Sequence, residues 1–251
     1  MFLDLISRDL RSRFIGSYTG WLWLLINPLL LLGVYAFVFG VIFKARVPEN
    51  MEVSFVVWLA LGLWPWLAFS EGIVSASESM PRYKNLISKV AVPREILALS
   101  TATASFVLQM VGFVVVLVLI SLLGVTIQWS GLIHAASILT TLFILSCGIG
   151  LFAAALRVYI PDIEQLLPTM LMFGFFLTPI IYAPEMLPEA FGVWLDLNPM
   201  AGLLTDLRGA LLVGDAFPSL ATGVFAAISA LIFLLGMMFF RRMSPFFEDF
   251  L

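Results

Sequence analysis

Residues 96–156 read ILALSTATASFVLQMVGFVVVLVLISLLGVTIQWSGLIHAASILTTLFILSCGIGLFAAAL, and none of these positions is Asp, Glu, Lys or Arg. A helix needs roughly 20 apolar residues to cross about 30 Å of hydrocarbon, so this stretch is too long for one crossing. The segment GVTIQWSG at 124–131 divides it, because glycines and polar residues mark a turn. The stretch therefore predicts two membrane-spanning helices, near 98–123 and 132–155.

Four further charge-free stretches are long enough to cross a membrane, and they lie near 21–43, 54–73, 165–183 and 218–240. Of the 251 residues, 62% are hydrophobic and 12% are charged. Soluble domains carry roughly 25% charged residues, so an ordinary soluble enzyme and a disordered chain are both excluded. A formal charge of −3 excludes a basic nucleic-acid-binding protein. We expect an all-α integral membrane protein, one transmembrane domain of six helices over residues 1–251.

The basic residues predict the orientation, because cytoplasmic segments of membrane proteins are enriched in Lys and Arg. With the N-terminus inside, ten of the 13 basic residues fall in inner segments. The outer segments then hold only Lys44, Arg46 and Arg208. Both termini are therefore expected in the cytoplasm.

Two polar segments on the inner side are not expected to cross. Residues 2–14 predict an amphipathic helix lying in the headgroup layer, with apolar residues on one face and charges on the other. This helix either serves only as an anchor or also contacts a cytoplasmic partner. Residues 77–97, SESMPRYKNLISKVAVPREIL, are too polar to cross and too long for a tight turn. They are either a solvated connector or a docking element for a cytoplasmic protein.

The outer segment 184–215 is apolar but interrupted by prolines, glycines and acidic residues. This pattern predicts a re-entrant helical hairpin with its turn near 197–199. Irregular backbone at membrane depth must be covered by protein or line a wet cavity, so the segment is a candidate exit gate. An amphipathic outer loop without a role in passage is the alternative.

The sequence gives no sign of a catalytic or metal site. His134 is the single histidine and has no ligand partner at metal-binding spacing. No lysine stands in the pattern G-x-x-x-x-G-K-[ST], so energy for any pump is expected to come from a partner. The expected spans hold no charge well inside them, which argues against proton coupling. Asp162 and Glu164 are candidate acids of an intramembrane enzyme, although carboxylates two residues apart on a helix point to different sides.

Several stretches, in order along the chain, resemble the membrane subunit (permease) of type-2 ABC exporters of lipid-linked polysaccharides such as O-antigen, teichoic acid and capsule. They are SRDLRSRFIGSYTGWLWLLINPLLLLGVYAFVFGVIFKARV at 7–47, GLWPWLAFSEGI at 62–73, NLISKVAVPREILALS at 85–100, RVYIPDIEQLLPTMLMFGFFLTPIIYAPEMLPE at 157–189, LNPMAGLLTDLRGALL at 197–212 and RRMSPFFEDFL at 241–251. The resemblance is nearest to O-antigen exporters. It implies a homodimer with a channel at its interface and a pair of cytoplasmic ATPases, which bind the ATP and Mg that this chain does not.

The resemblance also implies roles for individual residues. Contacts with the ATPase are expected from Arg8, Asp9, Arg11, Arg13, Lys89, Val92, Pro93, Arg94, Glu95, Arg157 and Asp162. Candidates for the channel lining are Trp21, Trp23, Tyr35 and Phe39, and candidates for the outer gate are Pro184, Asn198, Pro199 and Arg208. No residue is expected to be catalytic or to bind a metal.

The leading hypothesis is a multi-pass permease of the bacterial cytoplasmic (inner) membrane that exports a lipid-linked polysaccharide. One alternative is an ABC exporter of a small lipid or drug. Another is a membrane enzyme acting on lipid-linked sugars, which predicts activity of the purified chain alone. A third is a scaffold of glycan synthesis, which predicts no dependence on ATP.

Overall fold

A computed structural model describes residues 1–12, 20–45, 47, 53–87, 89, 92–188, 192–215 and 217–249. This part of the chain forms helices, turns and loops, without a strand. The helices are α1 Phe2–Ser12, α2 Gly20–Tyr35, α3 Phe55–Arg82, α4 Lys84–Ile87, α5 Arg94–Leu122, α6 Leu132–Tyr159, α7 Ile163–Leu177, α8 Gly192–Leu197, α9 Pro199–Arg208 and α10 Leu220–Met243. The π-helical turns Ala36–Ile42 and Gly209–Val213 continue α2 and α9, and 3-10 turns occupy Trp129–Gly131, Pro184–Met186 and Ser244–Asp249.

Within the described residues, five helical segments are long and apolar enough to cross a membrane. They are Leu25–Ile42, Phe55–Arg82, Arg94–Leu122, Trp129–Tyr159 and Leu220–Phe247. The expected all-helical class, with several helices suited to cross a membrane, is thereby confirmed. The span expected at 165–183 is helical only as far as Leu177, in the 15-residue α7. This helix is about 22 Å long and shorter than a full crossing. This helix ends because Pro179 requires an extended residue before it, and Thr178 has φ −101° and ψ 137°.

The centre of the fold is α3, which packs against both α5 and α6. Small polar side chains hold the three helices together. Ser105 and Ser75 share a hydrogen bond of 2.6 Å between α5 and α3, and Ser146 of α6 donates to the Phe69 carbonyl at 2.8 Å. Close packing through small residues with interhelical hydrogen bonds is the usual way in which helices associate in membranes. These contacts make α3, α5 and α6 the fixed frame of the molecule.

The remaining long helices lie around this frame. On α10 the backbone approaches α6 so closely that a Cβ on Gly236 would overlap the Gly148 carbonyl. Several of the helices leave large apolar side chains uncovered. On α2 and α7 these include Leu30, Val34, Phe37, Val41, Met170, Met172, Phe173 and Leu177, and on α5 and α10 they include Val111, Val114, Val118, Leu231, Leu234 and Met238. A lipid or protein surface must cover these faces.

α3 is longer than the span expected at 54–73 and includes residues 77–82 of the expected polar insert. Its last turns stay helical because Met80 is fully buried among α1, α5 and the end of α10. The expected helix at 2–14 corresponds to α1, although residues 13 and 14 lie outside the described residues. α1 packs against α5 and buries Leu5 beside Met80 and Tyr83, so part of its apolar face is covered by protein.

Candidate functional site

A groove of about 770 Å³ lies between α2, α3 and α7. Aromatic rings line one part of it, contributed by Tyr35, Trp66, Phe175 and Phe176. The rings of Tyr35 and Phe175 stack with centroids 5.5 Å apart, and Trp66 meets Phe175 edge-on at 5.9 Å. Three helices distant in sequence thus build one apolar surface of ring faces.

A stripe of polar side chains on α3 lines the rest of the groove. Glu71, Ser75, Glu78 and Arg82 follow at steps of four, three and four residues, which is the spacing of one helix face. Arg82 pairs with Glu78 at 2.6 Å. Glu71 has no hydrogen bond or ion pair with any residue that the structure describes.

The position of Glu71 makes this carboxylate a candidate functional group. Glu71 lies about 24 Å along α3 from Phe55, which is less than the roughly 30 Å that a crossing helix traverses. Ionisable side chains at such depth are costly and usually serve a function. The sequence prediction ends this span at 73 and therefore places Glu71 at its edge. The four-three-four spacing of the stripe is the signal that identifies it.

Of the four expected channel residues, one lines this groove and a second lies beside it. Tyr35 lines it, and Phe39 continues the ring surface with its centroid 6.1 Å from that of Tyr35. Trp23 is 50% exposed on α2 and does not line this groove. The side chain of Trp21 lies outside the described residues.

At one end of the bundle, which we call the basic end, α1 meets the end of α3, the start of α5 and the ends of α6 and α10. Many of the residues expected to contact an ATPase lie here. Those that are exposed are Arg8, Arg11, Lys89, Pro93 and Asp162. Val92 packs onto the apolar cluster at this end, and Arg13 lies outside the described residues.

Other members of that expected set make contacts within the chain. Arg157 bridges to Glu164 of α7 at 2.7 Å and donates to Ser77 of α3 at 3.4 Å. Glu164 is thus held by Arg157, whereas Asp162 is exposed.

Asp9 fixes α1 to the end of α3. Its carboxylate is 2% exposed and accepts hydrogen bonds from Arg82 and from the Tyr83 hydroxyl, both at 3.3 Å. The Arg8 guanidinium lies 5.2 Å from the centre of the Tyr83 ring. Burial, together with the Asp9 carboxylate, raises the pKa of Tyr83, so the phenol remains a hydrogen-bond donor. Asp9 is thus positioned to anchor a helix.

Glu95 and Arg94 also bond inside the chain. Glu95 pairs with Arg241 at 3.0 Å. Arg94 donates to the carbonyl oxygen of Ser244, just beyond α10. Both residues therefore join the first turn of α5 to the end of α10.

At the opposite end of the bundle, Arg208 joins α9 to α3 and to the segment after α7. Its side chain is fully buried and donates to the carbonyls of Pro179 at 2.9 Å, Trp58 at 3.1 Å and Ile180 at 3.3 Å. The guanidinium carbon lies 3.6 Å from the centre of the Trp58 ring, within cation–π distance. A Cβ at Gly62 would collide with this guanidinium, so glycine is needed there.

Asn198 separates α8 from α9, at the position expected for a turn. Its side chain caps α9 by accepting from the Met200 N–H at 3.0 Å, and Pro199 follows at the first helical position. The amide of Asn198 also donates to Thr178 at 3.1 Å, at the end of α7. Pro184 begins the 3-10 turn Pro184–Met186. Asn198 and Arg208 therefore both hold the segment after α7.

No group of three His, Cys, Asp or Glu side chains suited to a metal ion occurs in the part of the chain that the structure describes. The buried His134 bonds through Nδ1 to the Asp215 carbonyl at 3.0 Å. Because the carbonyl only accepts, Nδ1 must carry the proton. The groove between α2, α3 and α7 is the candidate site, because it combines aromatic ring faces with the Glu71 carboxylate.

Comparison with known proteins identifies relatives along most of the chain. An O-antigen export system permease protein RfbA of Klebsiella pneumoniae is 26% identical, over 85% of this chain and 81% of its own. The RfbA of Myxococcus xanthus is 27% identical, over 92% and 88% of the two chains. The polysialic acid transport protein KpsM of Escherichia coli is 25% identical, over 94% and 91%. Residues 2–212 match the ABC-2 type transporter family, and this chain therefore belongs to that family of membrane proteins.

Proposed function

We propose that this chain is the permease subunit of an ATP-driven exporter. The exporter moves a lipid-linked polysaccharide of the O-antigen type across the bacterial cytoplasmic membrane. The observation that carries the proposal is the groove between α2, α3 and α7. Sugar rings have apolar C–H faces and hydroxyl edges. The aromatic surface around Tyr35 and Phe175 fits the faces, and the carboxylate of Glu71 can accept hydrogen bonds from the hydroxyls.

Two such chains form the exporter in this proposal. The uncovered apolar faces of α2 and α7 support a homodimer, because both faces flank the groove. Channel walls would then come from Tyr35, Phe39 and the groove residues of both copies. α7 and the extended segment after it supply a sixth crossing, and α8 with α9 forms a re-entrant hairpin that acts as the outer gate.

A separate ATPase pair supplies the energy. The basic end lies in the cytoplasm with both termini, in agreement with the positive-inside rule. Exposed Arg8, Arg11, Lys89, Pro93 and Asp162 provide the contact surface for the ATPase, which binds ATP and Mg. Closure of the ATPases pushes on this surface, the two copies separate along α2 and α7, and the glycan slides along the rings.

The test is complementation together with purification. A strain lacking this gene should stop displaying its surface polysaccharide and accumulate the lipid-linked form, and the wild-type chain should reverse both effects. The tagged chain, purified in mild detergent, should retain a P-loop ATPase in equal amount. Chemical modification of lipid-linked sugars by the purified chain alone would instead establish an enzyme, and export without ATP would reject the proposal.

An exporter of a small lipid or drug is the second candidate. A second groove of about 760 Å³ lies between α7 and the outer short helices, and its walls are almost wholly apolar. Trp66, Tyr182 and Trp194 are among its lining residues. ATP-dependent movement of a fluorescent phospholipid by the purified complex in vesicles, without glycan, would favour this candidate.

A further inference from the structure

The C-terminal segment Ser244–Asp249 is firmly attached to the basic end. Phe247 is fully buried, with its ring centroid 5.3 Å from that of Phe240 and 5.9 Å from that of Tyr159. The Tyr159 hydroxyl donates to the Met243 carbonyl at 2.9 Å. The segment therefore belongs to the packed core of this end and joins α10 to α6.

Two residues of the first turn of α5 complete the joint. Arg94 donates to the Ser244 carbonyl, and Glu95 pairs with Arg241 at 3.0 Å. Arg94 directly follows the loop after α4 that contains Lys89 and Pro93. A displacement of that loop is therefore transmitted through Arg94 to the end of α10.

This joint is the main connection between α5 and α10. Along the rest of its length α10 packs against α6 and has few contacts with α5. A hydrogen bond from a charged donor is stronger than one between neutral groups. The bond from Arg94 is therefore a strong part of this joint. Arg94 faces the C-terminal segment, a placement suited to transmission and less suited to holding a partner.

We propose that Arg94 is a positioning residue that locks Ser244–Asp249 to α5, and that this lock carries movement of the ATPase-contacting loop into α6 and α10. The inference rests on the proposed function, because it assigns a role within ATP-driven export. It assigns Arg94 and Glu95 to the transmission of motion, in place of the direct ATPase contact expected from the sequence.

The test compares binding with coupling in the complex of the full chain and its ATPase. Arg94→Gln removes the charge and shortens the side chain, whereas Arg94→Lys keeps a charged donor. Arg242→Gln changes an exposed arginine at the same end of the bundle. We expect Arg94→Gln to retain the bound ATPase while export per ATP hydrolysed falls roughly tenfold, as loss of one charged hydrogen bond predicts. Arg94→Lys should restore most of the export, and Arg242→Gln should match wild type.

A chain ending at Met243 provides the second route, because it removes the other half of the lock. It should reproduce the Arg94→Gln result, with the ATPase bound and export uncoupled from hydrolysis. Loss of the bound ATPase from Arg94→Gln alone would make Arg94 a docking contact and overturn the inference. Wild-type coupling in both variants would overturn it as well. Absence of any ATPase from the wild-type preparation is a different result, since it rejects the proposed function itself.

Discussion

Arg208 is a charged side chain at a fully buried position, and among the described residues no carboxylate pairs with it. Burying a charge is costly unless hydrogen bonds compensate for the lost water. Here three carbonyls and the face of Trp58 surround the guanidinium. Two of those carbonyls belong to Pro179 and Ile180, where the chain leaves α7 and has no helix to satisfy them. Arg208 therefore replaces the missing backbone donors.

Replacing Arg208 by Leu should lower the free energy of unfolding by about 2–4 kcal/mol, because the buried carbonyls lose their donor. Gly62→Ala should cause part of the same loss, since its methyl group displaces the guanidinium. The double variant should lose less than the sum of the two, because both changes act on one interaction. Thermal unfolding in detergent measures this, with the exposed Arg242→Leu as the control, and full additivity would contradict the account.

The role of the groove in export can be tested at a single residue, Glu71. Glu71→Gln keeps the shape but removes the charge that strengthens hydrogen bonds from hydroxyl groups. We expect export of the lipid-linked glycan to fall roughly tenfold, corresponding to about 1.4 kcal/mol, with the bound ATPase unchanged. Pulse labelling of the surface polysaccharide measures the rate. Glu185→Gln, an exposed glutamate outside the groove, is the matched control, and equal rates for both variants would exclude Glu71 from the path.

At the scale of elements, the sequence predicts crossing helices well where charges and turns bound them. The turn at 124–131 separates α5 from α6 as its composition indicates, with the 3-10 turn Trp129–Gly131 inside it. Helix ends that are determined by tertiary packing are predicted less well. α3 continues to Arg82 because Met80 is buried by other helices, and such burial has no local signal. The end of α7 at Leu177 follows from Pro179, a signal that composition over a long window averages away.

The packing of α1 against the end of α3 can be tested separately. Asp9→Asn weakens the bonds from Arg82 and Tyr83 and should destabilise the docked helix by about 1–3 kcal/mol. Amide hydrogen exchange of residues 2–12 should then become faster, while exchange in α6 stays unchanged. Asp4→Asn, on the exposed face of α1, is the control.

The pKa of Tyr83 is raised in the folded protein. The hydrogen bond from Tyr83 to Asp9 therefore contributes fully to stability below about pH 10, and this contribution is lost above the raised pKa.

At the scale of the whole molecule, the sequence identifies the class of protein but only part of the site. Tyr35 and Phe39 are candidates at the sequence level because their segment resembles permeases of this family. Their partners Trp66 and Phe175 lie on other helices, and which faces meet is decided by packing. For the same reason, charges near the basic end look alike in the sequence. Contacts alone separate the exposed Lys89 from Asp9, which is buried.

The uncovered faces of α2 and α7 give the last prediction. In a two-fold dimer the same patch of each copy meets its equivalent, so residues near the axis can be joined to their own copies. Single cysteines at Val34, Phe37, Met170 and Phe173 should include positions that form a covalent dimer with a short thiol crosslinker in native membranes. The one natural cysteine, Cys147, is buried and should give little background. Cysteines at Val118 of α5 and Leu231 of α10, equally exposed, should stay monomeric, and crosslinking there in place of α2 and α7 would move the dimer interface to another face.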